Sequence, residues 1–463
     1  MNINNTIFKA YDIRGVVGKE LNKELMYSIG TIFGVHALQK NQKTCVVGRD
    51  GRASGILFSK FLSDGLRSVG INVIDVGMVP TPVVYFATHH LKTGTGIVIT
   101  GSHNPPEYNG LKMMLAGETL WGPKINKIKD DMKNLRDFQK KLQHQKIGSY
   151  KFLDVSDVYE KEVLRSVDLK RPLKIAIDAG NGVAGPLAGR LFKRLGCETF
   201  DLYCEVNGDF PNHHPDPADP ANLSDLIDTV IKKKLDLGLA FDGDGDRLGV
   251  VTNSGQIIWP DRQLMLHAKE VLHLKPGSKI IFDVKCSRHV SEWVLKHGGE
   301  PLMWKTGHSL IKAKLKETNA PLAGEMSGHL FFNDRWAGFD DALYSGVRLL
   351  EVLSREREPS KMLESLPNSI STPELKLKSK NFNHFDLVAK LISDGSFPSA
   401  IEKILIDGIR VEYKDGFGLA RPSNTTPVVV LRFEAENHDS LEKIQNEFRR
   451  ALLLIDSSLQ FPF

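Results

Sequence analysis

One hydroxyl and three carboxylates stand out in this sequence as a nucleophile and a cation site. The run TGSHNPP (100–106) follows the β-branched stretch IVIT (97–100), so Ser102 falls at the carboxyl end of a strand, where open α/β sheets carry their ligands. Gly101 lets the backbone turn sharply there and exposes the Ser102 Oγ. The run DGDGDR (242–247) follows the apolar stretch LGLAF (237–241) and sets Asp242, Asp244 and Asp246 at alternate positions around two glycines. Carboxylates so spaced can converge on one hard divalent cation and leave its other positions to a phosphate oxygen or water, which suits magnesium. An Asp-Gly turn would be the plain alternative, but three like charges this close repel unless a cation neutralises them.

Neighbouring chemistries fit less well. The G-x-S-x-G elbow of α/β-hydrolases is absent, because Gly101 directly precedes Ser102 and Asn104 stands where the second glycine belongs. An EF-hand would need glycine at Arg247 and glutamate at Asn253. A strand followed by D-x-D also suits a phosphatase with an aspartyl nucleophile, against which the third aspartate and the separate serine loop argue.

Two further runs offer recognition groups. GEMSGH (324–329) gathers Glu325, Ser327 and His329 between glycines, the donors and acceptors that sugar hydroxyls need. RPSNTTP (421–427) places Arg421, Ser423, Asn424 and Thr425 ahead of a strand, which suits a phosphate dianion. A fifth run, GNGVAG (180–185), matches G-x-G-x-x-G between a strand and a helix, with Asp201 at a distance suited to a ribose. Glycines at a tight strand-to-helix turn explain that run without a dinucleotide.

The elements that must hold these groups alternate short β-branched runs with amphipathic stretches of helical length, the pattern of α/β units with largely parallel sheets. Strands are predicted at 44–47, 97–100, 174–178, 237–241 and 279–283, and helices at 59–68 and 187–195, where apolar residues recur three and four apart. Polar stretches at 136–150, 253–261 and 355–380 read as connections. They divide the chain into four parts: 1–148 with the serine loop, 149–253 with the metal loop, 254–366 with the sugar loop and 367–463 with the phosphate loop. The last reads as a smaller α+β unit, with a strand at 428–433 and a helix at 440–453.

At 463 residues the chain is too long for one ordinary core, and its 41% hydrophobic and 25% charged residues are those of globular protein throughout. A net charge of +5 is dispersed rather than gathered into a stripe, which argues against nucleic acid. Cys45, Cys197, Cys204 and Cys286 form no C-x-x-C pair and read as reduced thiols. With no apolar stretch long enough to span a membrane and no secretory h-region, a cytoplasmic protein is expected.

The loops TGSHNPPEYNGLK (100–112), DGDGDR, GEMSGH and RPSNTTP, with FKAYDIRG at 8–15, resemble in order those of the α-D-phosphohexomutases, and within them the bacterial phosphomannomutase/phosphoglucomutase branch. The resemblance covers essentially the whole chain. It implies four domains around a central cleft, three of related α/β fold, each domain contributing one loop. It further implies that Ser102 is phosphorylated and that Mg²⁺ is held by Asp242, Asp244, Asp246 and an oxygen of the Ser102 phosphate. Arg247 would lie beside that centre, and Lys112 and His329 would serve as general acid and base. Tyr11 and Arg14 would line the cleft, Lys285 and His308 would contact the ligand from the third domain, and Glu325 and Ser327 would bind the 3- and 4-hydroxyls. Arg421, Ser423, Asn424 and Thr425 would grip the phosphate that is not reacting. The implied substrates are the 1- and 6-phosphates of mannose and glucose, exchanged by a monomer through a hexose 1,6-bisphosphate. Pro422 departs from the pattern, where a small residue is expected, and removes one N–H donor.

Overall fold

The computed structural model describes residues 4–142, 145–424 and 426–463, without the side chains of 139, 141 and 142. One device recurs four times in it. An inner strand runs out of a sheet, turns through a polar loop and returns antiparallel beside itself. Gly96–Ile99 returns as Tyr108–Leu115, Leu237–Phe241 as Leu248–Thr252, Leu322–Gly324 as Leu330–Phe332, and Gly416–Pro422 as Val429–Ala435. The outgoing strands are buried along nearly their whole length, so the loops at their tips are carried on stiff supports.

Behind each of the first three hairpins the sheet is parallel, as the β-branched runs predicted. In the first, Gly96–Ile99, Thr44–Arg49, Asn72–Met78 and Tyr150–Phe152 run parallel, while Tyr108–Leu115 adds Ile13–Val16 on its far side. In the second, Leu237–Phe241, Lys174–Asp178 and Glu198–Leu202 run parallel, and in the third, Leu322–Gly324, Lys279–Asp283 and Glu300–Trp304 do so. The fourth sheet is antiparallel throughout and packs helices His384–Asp394 and His438–Ile455 on one side.

The stretches read as connections carry more structure than their polarity suggested. The first contains helix Leu135–Leu142, where Leu135 and Phe138 sit three apart and pack on the first core while Arg136, Asp137 and Lys140 are exposed. The second contains strand Ile257–Ile258, and the third contains helix Pro359–Glu364 and strands Ile370–Ser371 and Leu375–Leu377. Among the described residues no helix is long and apolar enough to cross a membrane.

One apolar cluster joins the first three sheets, with Val83 and Val84, Leu191 and Phe192, and Leu264, Phe332 and Leu350 packed together, and the first sheet carries a second cluster around Ile29, Phe33 and Ile99. The fourth sheet has a separate core around Leu391, Phe433 and Phe448. It meets the third through a small apolar seam of Val284, Phe417 and Leu419, together with buried charges. Arg410 donates to the carbonyl oxygens of Val284 at 2.7 Å and Cys286 at 2.6 Å, and Arg432 donates to that of Lys285 at 2.5 Å.

At the junction of the second and third sheets, Tyr159 donates its hydroxyl proton to both carboxylate oxygens of Asp341, at 2.9 Å each. Asp341 also caps helix Ala342–Leu353 by accepting from the Tyr344 amide at 2.9 Å. Burial outweighs these hydrogen bonds and raises the Asp341 carboxyl to about 7. A raised carboxyl leaves the native state with an ionisation cost that is absent below the unfolded value, grows through the interval and is complete above about pH 7. Asparagine would keep the cap and the acceptor without the charge. The Asp341→Asn variant is expected to unfold at a higher temperature than the parent at about pH 8.5, with the gain shrinking by roughly two-thirds at about pH 5. Thermal melts of both proteins across that range check the sign.

Candidate active site

Ser102 and the three aspartates meet. The Ser102 hydroxyl donates to Asp242 Oδ2 at 3.1 Å, and the His103 Nδ1 lies 3.2 Å from the same Oγ. The approach needs a bare backbone opposite it, because a Cβ on Gly243 would strike the Ser102 carbonyl oxygen. Asp242 turns its other oxygen inward, accepting from the amides of Asp246 at 3.0 Å and Arg247 at 3.1 Å, which coils the loop around the site. The 180–185 run supports this coil at its middle, where Val183 donates its amide to the Gly243 carbonyl at 3.2 Å and Gly182 packs against Gly243, while Gly185 packs against Cys204. Asp201, read as a possible ribose ligand, is paired with Lys193 at 2.6 Å.

The three carboxylates have no exposed surface, and one oxygen of each lies within 4.8 Å of the others. Burial, and after it the charges of Asp246 and Asp244, push the Asp242 carboxyl well above the usual carboxylate range. Lys112 answers part of that charge, donating to Asp244 Oδ2 at 2.7 Å and Asp246 Oδ2 at 2.5 Å. Burial alone would pull this ammonium down, but Asp244 and Asp246 outweigh it and keep it protonated. Thr81, at the start of helix Thr81–His90, donates to the same Asp244 oxygen at 2.5 Å. Asp244 Oδ1 and Asp246 Oδ1 are buried without a hydrogen-bond partner. Two unsatisfied carboxylate oxygens beside a third carboxylate form an all-oxygen donor set of the kind that holds a hard divalent cation, so these residues fit such an ion.

The sugar loop closes over the far side. Arg247 Nε donates to His329 Nε2 at 3.1 Å, which leaves the Nδ1 proton of that ring facing Asp340 Oδ2 at 3.1 Å and Asp246 Oδ1 at 3.6 Å. His308 stacks on His329 with ring centroids 5.5 Å apart and brings its own Nδ1 to 3.4 Å from the same Asp340 oxygen. Lys312 donates to the other Asp340 oxygen at 2.8 Å. Burial, followed by Lys312, lowers the His308 imidazole to about 4. Glu325 accepts from the Gly307 amide at 2.5 Å, and burial raises its carboxyl to about 7. Ser327 is half-buried in the same turn.

Tyr11 links the fourth domain to the rest. Its hydroxyl donates to the Thr306 carbonyl at 2.7 Å and accepts from Asn424 Nδ2 at 2.6 Å, so one side chain bridges three domains. Arg421 donates to Asp407 at 2.9 Å, which also accepts from the Thr306 amide at 3.1 Å. Ser423 is buried with its Oγ 2.9 Å from Thr426 Oγ1, and Thr425 lies outside the described residues. Pro422 ends its strand opposite Val429. Arg14 pairs with Asp12 at 2.5 Å and donates to Asn104 of the serine loop. Lys285 is buried and paired with Glu374 at 2.5 Å.

Ser102, Lys112, Asp242, Asp244, Asp246, Arg247, His308 and His329 are thus linked in one cluster with their supports added, while Lys285 is held by Glu374 apart from it. Asp50, Arg52, Thr81, Lys312, Asp340, Glu374 and Asp407 carry no local signal, apart from an RDGR run at 49–52 that could have marked a loop after a strand.

Four domain families match the chain in order. They are the phosphoglucomutase/phosphomannomutase alpha/beta/alpha domains I at 5–138, II at 155–255 and III at 259–370, and the C-terminal domain at 378–451. The chain is 51% identical to a phosphoglucomutase of Neisseria gonorrhoeae, with 97% of each covered. It is 50% identical to a phosphomannomutase/phosphoglucomutase of Pseudomonas aeruginosa, over 99% of this chain and 98% of the relative. A crystal structure of a phosphoglucomutase/phosphomannomutase family protein from Burkholderia thailandensis superposes over all of both chains with a TM-score of 0.94 at 54% identity. With all four domains matched in order and relatives this similar along its length, the chain belongs to the α-D-phosphohexomutase family.

Proposed function

We propose that this chain exchanges the 1- and 6-phosphates of mannose and of glucose, with Ser102 carrying the phosphoryl group between them. The observation that supports this best is the Ser102 hydroxyl 3.1 Å from Asp242, inside a buried cluster of three carboxylates that Lys112 also enters. In the first half-reaction the bond from Ser102 Oγ to phosphorus breaks as the free hydroxyl of a hexose monophosphate bonds to that phosphorus. The sugar hydroxyl's proton passes to a base and Ser102 regains one, leaving a hexose 1,6-bisphosphate. The bisphosphate then turns end for end, and the same exchange in reverse returns the other phosphate to Ser102.

Mg²⁺ held by Asp242, Asp244, Asp246 and the Ser102 phosphate would supply Lewis-acid stabilisation of charge on the transferring oxygens. Lys112 and Arg247 add positive charge at the same centre, where a dry surrounding makes it count for more than in water. His329 is suited to proton transfer because its ring is held between Arg247 and Asp340. Glu325 and Ser327 would accept and donate to the 3- and 4-hydroxyls, which mannose and glucose share. Lys285 and His308 would contact the ligand from the third domain, Arg421, Ser423, Asn424 and Thr425 would hold the idle phosphate, and Tyr11 and Arg14 would line the cleft.

Three outcomes test the reading. Phosphopeptide mapping of protein incubated with hexose 1,6-bisphosphate should find phosphate on Ser102, and Ser102→Ala should lose both that phosphate and turnover of mannose 1-phosphate; a fully active variant contradicts it. At saturating Mg²⁺, Asp244→Asn should lose kcat on the order of 100-fold, and chelation of the metal should stop the parent enzyme. A Glu325 carboxyl raised to about 7 is protonated below that value and then accepts sugar hydroxyls poorly. KM should therefore rise as the pH falls through about 7, and Glu325→Gln, which shares every other titration, should lack that rise.

A further inference from the structure

Ser102 stands at φ +50°, in the left-handed region that a residue with a side chain occupies only when its surroundings hold it there. Phe210, beyond strand Glu198–Leu202 in the second domain, stands at φ +49°, which is rarer still for a bulky aromatic. Both are held against one guanidinium. Arg52 is 2% exposed, and its Nη2 donates to the carbonyl oxygens of Ser102 at 3.0 Å and Asn104 at 2.6 Å. Its Nη1 donates to the Pro105 carbonyl at 2.6 Å and its Nε to Asp50 Oδ2 at 3.1 Å. That same Asp50 oxygen accepts from the Gly101 amide at 3.0 Å, so the serine loop is gripped by its carbonyls on one side and an amide on the other.

The second domain covers this grip. The guanidinium carbon lies 5.0 Å from the centre of the Phe210 ring. Before Phe210, Gly208 packs so closely that a Cβ there would come within 2.7 Å of Arg52 Cα and 2.8 Å of the Gly51 oxygen. A planar fork that makes four directed hydrogen bonds and stacks on a ring has no lysine equivalent.

We propose that Arg52 is a positioning residue for the phosphoryl-carrying serine. It fixes the left-handed turn that aims Ser102 Oγ at Asp242, and through Phe210 it makes that turn depend on how the second domain seats against the first. The proposal rests on the reading that Ser102 carries the phosphate.

The test uses the full chain with Mg²⁺, saturating hexose 1,6-bisphosphate and mannose 1-phosphate as substrate. Turnover is counted per phosphorylated Ser102, measured by intact mass and peptide mapping, so that misfolded protein drops out of the comparison. Arg52→Lys should lower this kcat about 100-fold with KM little changed, the signature of a misaimed group rather than of lost substrate binding. Phe210→Leu, which leaves every Arg52 hydrogen bond intact, should lower it about tenfold. It carries the test if the lysine variant does not fold. Unchanged turnover per phosphoserine in the variants overturns the proposal while leaving the serine's role intact. A parent enzyme that turns over with no phosphate on Ser102 overturns both.

Discussion

Negative charge in a dry place is the constraint around which this molecule is arranged. Asp242, Asp244 and Asp246 are fully buried within a few ångströms of one another, and no fold tolerates that without positive charge brought to them. Lys112 comes from the first sheet and Arg247 from the loop itself, and Arg247 in turn donates to His329 Nε2 from the third sheet. The site is therefore where the first three domains meet, since the first supplies an ammonium to the carboxylates of the second and the third braces the arginine beside them.

The repeated hairpin answers the geometric side of the same demand. A loop at the tip of a buried strand can be polar and strained while its ends stay fixed. The tips are also cross-braced. The Leu248 amide donates to the Gly328 carbonyl at 3.2 Å, and the Thr81 amide donates to that of Asp244 at 2.9 Å, so the metal loop is tied by backbone to both neighbours.

What could be read from the sequence was what is contiguous in it. The serine, metal, sugar and phosphate loops each carry their chemistry within seven residues, and strands such as Lys174–Asp178, Leu237–Phe241 and Lys279–Asp283 follow from unbroken apolar runs. Helix Leu135–Leu142 was hidden because charged residues outnumber its buried face. The supporting residues escaped for a different reason. Asp340, which faces both His308 and His329, and Asp407, which joins Arg421 to Thr306, look like any surface aspartate until the chain folds. A motif records which groups react, whereas the contacts that hold them are between residues far apart in sequence.

The division of the interior has a consequence for how the molecule comes apart. Three sheets share one continuous apolar cluster and so should melt as a single cooperative block, while the fourth, with its own centre around Phe433 and Phe448, forms a second block joined to it by a thin seam and by arginines on carbonyls. Tyr11 and Asn424 lie across that joint. A partial opening along it would separate the 421–427 loop from Ser102 yet leave Ser102, the acidic cluster and the 324–329 loop assembled, so one wall of the site can move without disturbing the carboxylates beside it.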